Sequence, residues 1–187
     1  MARVPYLNPE DLSEADRDLL SRRINLARAL ANSPDALRNF SRLGAWIRHG
    51  SRLDGRLREL AILQVGYLTR SPYEFSHHLK IGRDFGVSDD DVRAIAAETT
   101  GQPSGLPPLD RAVLRAAREM TEQLAISEGT YQNLEAELAR EQLVDLVMTI
   151  AFYNAVVRVL ASLEIDVEPE YQALLEEFPL PGSLRER

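Results

Sequence analysis

Cysteine is absent from this chain of 187 residues. That absence excludes disulfides, thiolate nucleophiles and cysteine-ligated metals. Basic clusters are missing too: 22 Lys and Arg residues are scattered along the chain, 29 acidic residues outnumber them, and the net charge is −7. A surface that tracks phosphates needs a basic stripe to release counterions, so nucleic acid is not an expected partner. The opening Met1-Ala2-Arg3-Val4-Pro5-Tyr6 leads into acidic residues without the apolar stretch of a signal peptide. The longest uncharged apolar run, between Asp145 and Arg158, falls short of the ~20 residues that cross a bilayer. No membrane association and a cytoplasmic location are therefore expected. No alternating strand pattern is found either, which leaves an all-α reading.

Helix signals fill the chain. Asn8-Pro9 pairs an N-cap with Pro at the first helical position and predicts a helix to about Ala31. Ser33-Pro34 repeats the signal, and Ala36, Leu37, Phe40, Leu43 and Ile47 form the apolar stripe of a helix ending at His49-Gly50. A third helix is predicted from about Asp54 to Thr69, and its stretch 60–66 is apolar nearly all round, as a fully buried helix requires. Ser71-Pro72 opens a fourth that stops at Gly86, and Ser88-Asp89-Asp90-Asp91 starts a fifth with acidic residues at the positive end of the helix dipole. After a Gly/Pro-rich linker at 100–108, helices are predicted at 109–125, 128–138 and 141–163, then a helical piece at 170–177 and a fraying tail from about 178. The length suits one domain. Arg58-Glu59-Leu60-Ala61-Ile62 and Leu143-Val144-Asp145-Leu146-Val147 each set a carboxylate at the mouth of an apolar helix, a short hint of internal duplication.

The densest polar group is Ser71-Pro72-Tyr73-Glu74-Phe75-Ser76-His77-His78. Glu74 and His78 are four apart and share a helix face. A carboxylate beside an imidazole fixes the ring's tautomer and raises its basicity, or the two act as acid and base across a substrate. Glu59 precedes a helix too apolar for the surface, so desolvation is expected to raise its pKa. Glu59, Glu74 and His78 meeting in a dry cleft would make a cofactor-free acid-base site. The same residues have plainer readings. Ser71-x-x-Glu74 is also a capping box, Arg58-Glu59 suits a salt bridge at a helix end, and a lone histidine is often structural. His77 and His78 point about 100° apart and are not expected to share one small ligand.

The stretch from Arg56-Leu57-Arg58-Glu59-Leu60 through the Ser71–His78 motif to Gly86-Val87-Ser88 resembles the carboxymuconolactone decarboxylase domain, whose superfamily includes alkylhydroperoxidase D. Ser33-Pro34-Asp35-Ala36-Leu37 and Tyr153-Asn154-Ala155-Val156-Val157-Arg158 extend the resemblance over roughly residues 30 to 165. In the peroxidase branch a Glu is followed by eleven residues, Cys-x-x-Cys, three residues and a His. Here Glu59 and His78 hold the outer places while Ser71 and Glu74 stand where both cysteines would be. A hydroxyl and a carboxylate form neither a disulfide nor a sulfenic acid, so that redox cycle is chemically impossible. The decarboxylase branch, which needs neither thiol nor cofactor, is the better match. It implies protonation of an enolate-like carbon as a lactone acid loses carbon dioxide. The resemblance also implies a helical bundle of the alkylhydroperoxidase D type, about residues 52–165, with additional N-terminal helices to about Ser51, and a trimeric or hexameric assembly.

The expected function is thus a cofactor-independent lyase or isomerase acting on a small carboxylated lactone or enol metabolite, with Glu59, Glu74 and His78 catalytic. Ser71, Tyr73, Trp46, Tyr153 and Arg158 are candidate substrate contacts. Trp46, Tyr67, Phe75 and Tyr153 would line an apolar pocket, or would simply be core. Arg158 interrupts an apolar helix; buried, it must clamp a carboxylate such as Glu59 or Asp145, or bind an anionic substrate. No metal site is expected: Asp89-Asp90-Asp91 reads as capping and solvated charge, and Glu74 with His77 or His78 falls short of three or four converging ligands. Two other readings stay open, a non-catalytic or ligand-binding helical oligomer and a metal-dependent enzyme.

Overall fold

The computed structural model describes residues 2–182, and no strand is found among them. Its α-helices are α1 (Asn25–Leu30), α2 (Pro34–His49), α3 (Gly55–Leu68), α4 (Pro72–Asp84), α5 (Asp89–Thr99), α6 (Pro108–Glu122), α7 (Glu128–Glu135), α8 (Arg140–Leu163) and α9 (Gln172–Glu177). Helix α3 is the axis. Asp54 caps it by accepting from the Arg56 and Leu57 amides at 3.0 and 3.1 Å. Residues 57–66 are buried on every side, as a helix apolar all round must be. Helices α4, α5, α6 and α8 pack around it. Each fully buried Leu or Ile along this axis contributes roughly 1.5–3 kcal/mol.

Two devices hold α4 against α3. Gly66 leaves room for the next helix: a Cβ there would sit 3.2 Å from the Phe75 amide nitrogen and 3.3 Å from its Cα. The turn between the helices closes with Arg70 in the left-handed region and the Ser71 amide bonded to the Gly66 carbonyl at 2.9 Å, a Schellman-type ending. Farther along, Arg56 ties α3 to α5 and α6. It grips Asp91 through two nitrogens at 3.1 and 2.6 Å and meets Asp110 at 2.7 Å. Asp91 is therefore more than the solvated capping charge expected of it. It completes a capping box with Ser88 and is buried beneath Arg56, while Asp89 and Asp90 pair with Arg83 and Arg93 at the surface.

Helix α8 is long and apolar enough, by length and composition, to cross a membrane; the uncharged run inside it understated this. It lies in the bundle instead, against α2, α3, α4, α6 and α7. Buried Asp145, Thr149 and Asn154 punctuate it. Asp145 accepts from the Ser51 hydroxyl and the Arg52 amide, whereas Glu59 serves a histidine, so the two carboxylates of the short repeat do different work. Val144 and Met148 stay exposed on its outer side.

The N-terminal stretch departs from the expected single helix. Residues 8–31 form two 3-10 segments, Pro9–Asp11 and Glu14–Leu20, and then the short α1. Long-range bonds override local propensity here. The Arg28 guanidinium donates to the Leu7 and Tyr6 carbonyls, Asn32 donates to the Pro5 carbonyl, and Tyr6 bonds Asp166. The segment wraps the bundle and carries a small cluster of its own, with Leu12, Leu20, Ala27, Ala31 and Leu37 buried. At the other end Phe178 is buried under Arg83 and Arg93, so the chain is still packed where fraying was expected to begin. The rest of the expected tail, residues 183–187, lies outside the described residues.

Candidate active site

Helix α4 starts at Ser71, whose hydroxyl accepts from the Glu74 amide at 3.4 Å. That is half of the expected capping box. The other half does not form: the Glu74 carboxylate turns inward and lies 3.0 Å from His78 Nε2, off the direction of an aligned hydrogen bond. Glu74 and His78 are thus brought together across one helical turn. The close approach of α3 then delivers Glu59, whose Oε2 meets His78 Nδ1 at 2.6 Å. All three side chains are buried. The imidazole is held between two carboxylates, one at each ring nitrogen.

Charge decides the state of this triad. Burial by itself pulls the His78 pKa down, but attraction to Glu59 and Glu74 outweighs it and holds the ring at about 9. His78 is therefore an imidazolium at neutral pH. For Glu59, burial pushes the carboxyl up, yet His78 and Arg58 together leave it below the usual range. The expected desolvated, raised Glu59 is corrected by these cations. Arg58 donates from Nε to Glu59 Oε1 at 3.0 Å and from Nη1 to the Arg48 carbonyl at 3.1 Å, with its guanidinium over the Phe85 ring. The salt bridge expected of Arg58-Glu59 is present, and the other oxygen of the same carboxylate meets His78.

Glu74 and His78 line a cavity of about 410 Å³ walled by α1, α2, α4 and α8. Leu26, Leu30, Phe40, Phe152 and Val156 form apolar walls, and Tyr73, Tyr153, Arg48 and His77 add polar groups. The volume falls within the range that holds small ligands. Tyr153 sets its ring edge-on to His78. Burial and the nearby carboxylates raise its hydroxyl pKa, opposed by Arg48.

His77 takes a separate partner, as its rotation about the helix requires, although it lines the same cavity. Its Nε2 meets Glu168 Oε2 at 2.8 Å, and its ring is stacked between Tyr73 and Tyr171. Glu168 Oε1 also accepts from the Tyr73 hydroxyl at 3.0 Å and from the Asn25 amide at 2.6 Å, while the Tyr73 oxygen accepts from the Leu26 amide at 3.1 Å. Tyr73 is thereby a buried tie between α4, α1 and the segment before α9, with its ring at the cavity wall.

Other expected contacts lie elsewhere. Arg158 is exposed and bonds the carbonyl and side-chain oxygens of Asn154; it reaches neither Glu59 nor Asp145. Trp46 is 39% exposed on the outer side of α2, covering Gly50, and does not line the cavity. Phe75 sits in the core, with the half-buried Tyr67 beside it. Ser71 caps its helix and does not line the cavity. Sequence reasoning missed Arg48, Glu168, Phe40 and Phe152. Phe40 carried a signal, being part of the α2 stripe; Glu168, ninety-one residues from His77, carried none.

The chain matches the carboxymuconolactone decarboxylase family over residues 34–119. No curated protein matches it. Among solved structures it is similar to an uncharacterized peroxidase-related protein with an alkylhydroperoxidase AhpD core from Ralstonia eutropha JMP134, with TM-score 0.77, 20% identity, and 91% of this chain and 94% of that one covered. It is also similar to a variant of the debrominase Bmp8 in complex with 2,3,4-tribromopyrrole, with TM-score 0.76, 18% identity and coverage of 95% and 100%. A peroxidase-related protein from Silicibacter sp. TM1040 gives TM-score 0.70 at 19% identity, with 90% and 92% covered. At such identities the structural likeness speaks to the fold alone. The family match over residues 34–119 and the AhpD-like helical architecture agree with each other, in a chain that contains no cysteine.

Proposed function

We propose that this protein is a cofactor-independent lyase or isomerase that moves a proton on a small carboxylated lactone or enol-type metabolite. The observation that carries the reading is His78 clamped between Glu59 and Glu74 at the wall of an apolar cavity. Glu59, locked by Arg58, keeps the ring oriented and charged. Glu74 faces the cavity as the group that exchanges a proton with substrate, and His78 stores the proton behind it. In a decarboxylation, the carbon–carbon bond to the leaving carboxylate breaks and its electron pair passes into a dienolate. The His78–Glu74 pair then protonates the enolate carbon and is reprotonated by solvent, so atoms and charge balance. Apolar walls exclude water and strengthen each of these interactions. A debrominase of the same fold holds a single flat ring, 2,3,4-tribromopyrrole, and a cavity of about 410 Å³ suits a molecule on that scale.

The test is turnover on a panel of lactone acids and enol acids, followed by carbon dioxide release and by deuterium uptake from heavy water. Glu74→Gln, which keeps the shape and removes the base, is expected to lower the rate by roughly 10²–10⁴-fold. Wild-type protein that turns over no member of the panel, or a Glu74→Gln variant as active as wild type, would overturn the reading.

A further inference from the structure

The charges around the relay cancel: Glu59 and Glu74 are matched by the His78 imidazolium and the Arg58 guanidinium. His77 is hydrogen-bonded to Glu168, and Asp18, Arg22 and His49 line the cavity from exposed positions, where water screens their charges. Arg48 has no such match. It is half-buried in the last turn of α2 and lines the cavity. No ion pair joins it to any carboxylate among the described residues. Its neighbour is the Tyr153 hydroxyl, which it draws toward ionisation, and Tyr153 in turn stands against His78. Its main-chain carbonyl is held by Arg58, the residue that grips Glu59. Backbone and side chain are thus both referenced to the relay, while the charge is left without an anion.

We infer that Arg48, assisted by the Tyr153 hydroxyl, is the anchor for the carboxylate of the bound molecule, the part first expected of Arg158. A guanidinium presents paired N–H donors that fit a carboxylate in bidentate fashion, and a half-dry wall strengthens the pair. The phenol adds a third donor. Seated there, a ring of lactone size rests against Phe40 and Phe152 with its reactive carbon toward Glu74. The cavity therefore selects anionic over neutral ring compounds, and it does so through a residue outside the proton relay.

This inference rests on the same cavity as the proposed reaction but is tested by binding, not turnover. Benzoate, phenylacetate and cyclohexanecarboxylate are titrated beside their neutral amides, with affinity read by calorimetry and by shifts of the histidine ring signals. Wild type is expected to prefer each carboxylate by at least about ten-fold. Arg48→Met is expected to erase that preference and Arg48→Lys to keep part of it. Equal binding of acid and amide, no binding of either, or a preference that survives Arg48→Met would overturn the assignment. If carboxylate selectivity holds while no lactone acid is turned over, the anchor stands and the proposed reaction falls.

Discussion

The doubly clamped imidazolium makes the stability of this protein depend on pH in a direction opposite to acid denaturation. In the unfolded chain His78 titrates near 6.5, and in the folded protein it is held at about 9. Because the folded value is the higher one, the stabilisation is complete below pH 6.5 and is lost as pH rises through 9. Between those values the folded state carries one proton that the unfolded state has released, so stability falls by about 1.4 kcal/mol per pH unit. The whole effect is on the order of 3 kcal/mol, a large part of a typical domain's 5–15 kcal/mol. Urea unfolding at half-unit steps from pH 6 to 9 measures the slope. The control is His78→Gln, which should be flatter over that range and less stable overall by roughly 3–5 kcal/mol, since two buried carboxylates lose their shared cation. Nitrogen-15 spectra of the wild type read the proton directly, even if the variant fails to fold: the chain has three histidines, and the His78 signals should stay in the doubly protonated range at pH 8. A His78 ring that titrates at or below 6.5 would refute the reasoning, for it would place the shared proton on a carboxylate and leave the imidazole neutral.

Two further predictions concern the scaffold. Gly66→Ala forces a Cβ to within 3.3 Å of the Phe75 backbone, which cannot swing aside as a side chain tip can. The expected loss is about 1–3 kcal/mol, more than the gain of at most ~1 kcal/mol in helix propensity. Thermal unfolding checks it, and an unchanged or raised midpoint would show that α4 does not depend on that close approach. Leu124 follows α6 at φ +78° and is 88% exposed. Leu124→Gly relieves a left-handed strain of about 1–2 kcal/mol against a glycine entropy cost of about 0.5–1 kcal/mol. A net stabilisation by urea titration is expected, and a destabilised variant would contradict the assigned conformation.

Most of the architecture was legible because its signals are local. Ser-Pro and Asn-Pro starts, the apolar ring of α3 and the Ser88 cap each act within a turn or two, and α2 to α8 begin and end close to where they are predicted. The candidate triad was legible for a related reason: Glu74 and His78 are one turn apart, and Glu59 reaches them across a single tight turn. What failed was long-range. Residues 8–31 read as one helix, but their polar groups find better partners in other parts of the chain, such as Asp166 for Tyr6, and the helix breaks into 3-10 pieces. Arg158 looked buried because its neighbours are apolar, yet a helix that is apolar on most faces still has an outer side. Arg48 carried no sequence signal, since a cation in the last turn of a helix is ordinary and only the packing of α2 against α8 reveals the cavity beside it. Of the two readings open for Glu74, the cap fails because a buried imidazolium competes for a carboxylate better than a backbone amide does.

The tie made by Glu168 has a consequence for how chemistry and choice of ligand are distributed along the chain. The relay and Arg48 fall inside residues 34–119, the stretch that carries the family match. Leu26 and Leu30, which close one wall, come from before it; Phe152, Tyr153 and the Glu168 tie come from after it. A substitution program confined to those flanking walls would therefore reshape what enters while leaving the reacting groups as they are. It follows that two proteins with the same inner sequence and different flanks need not accept the same compound.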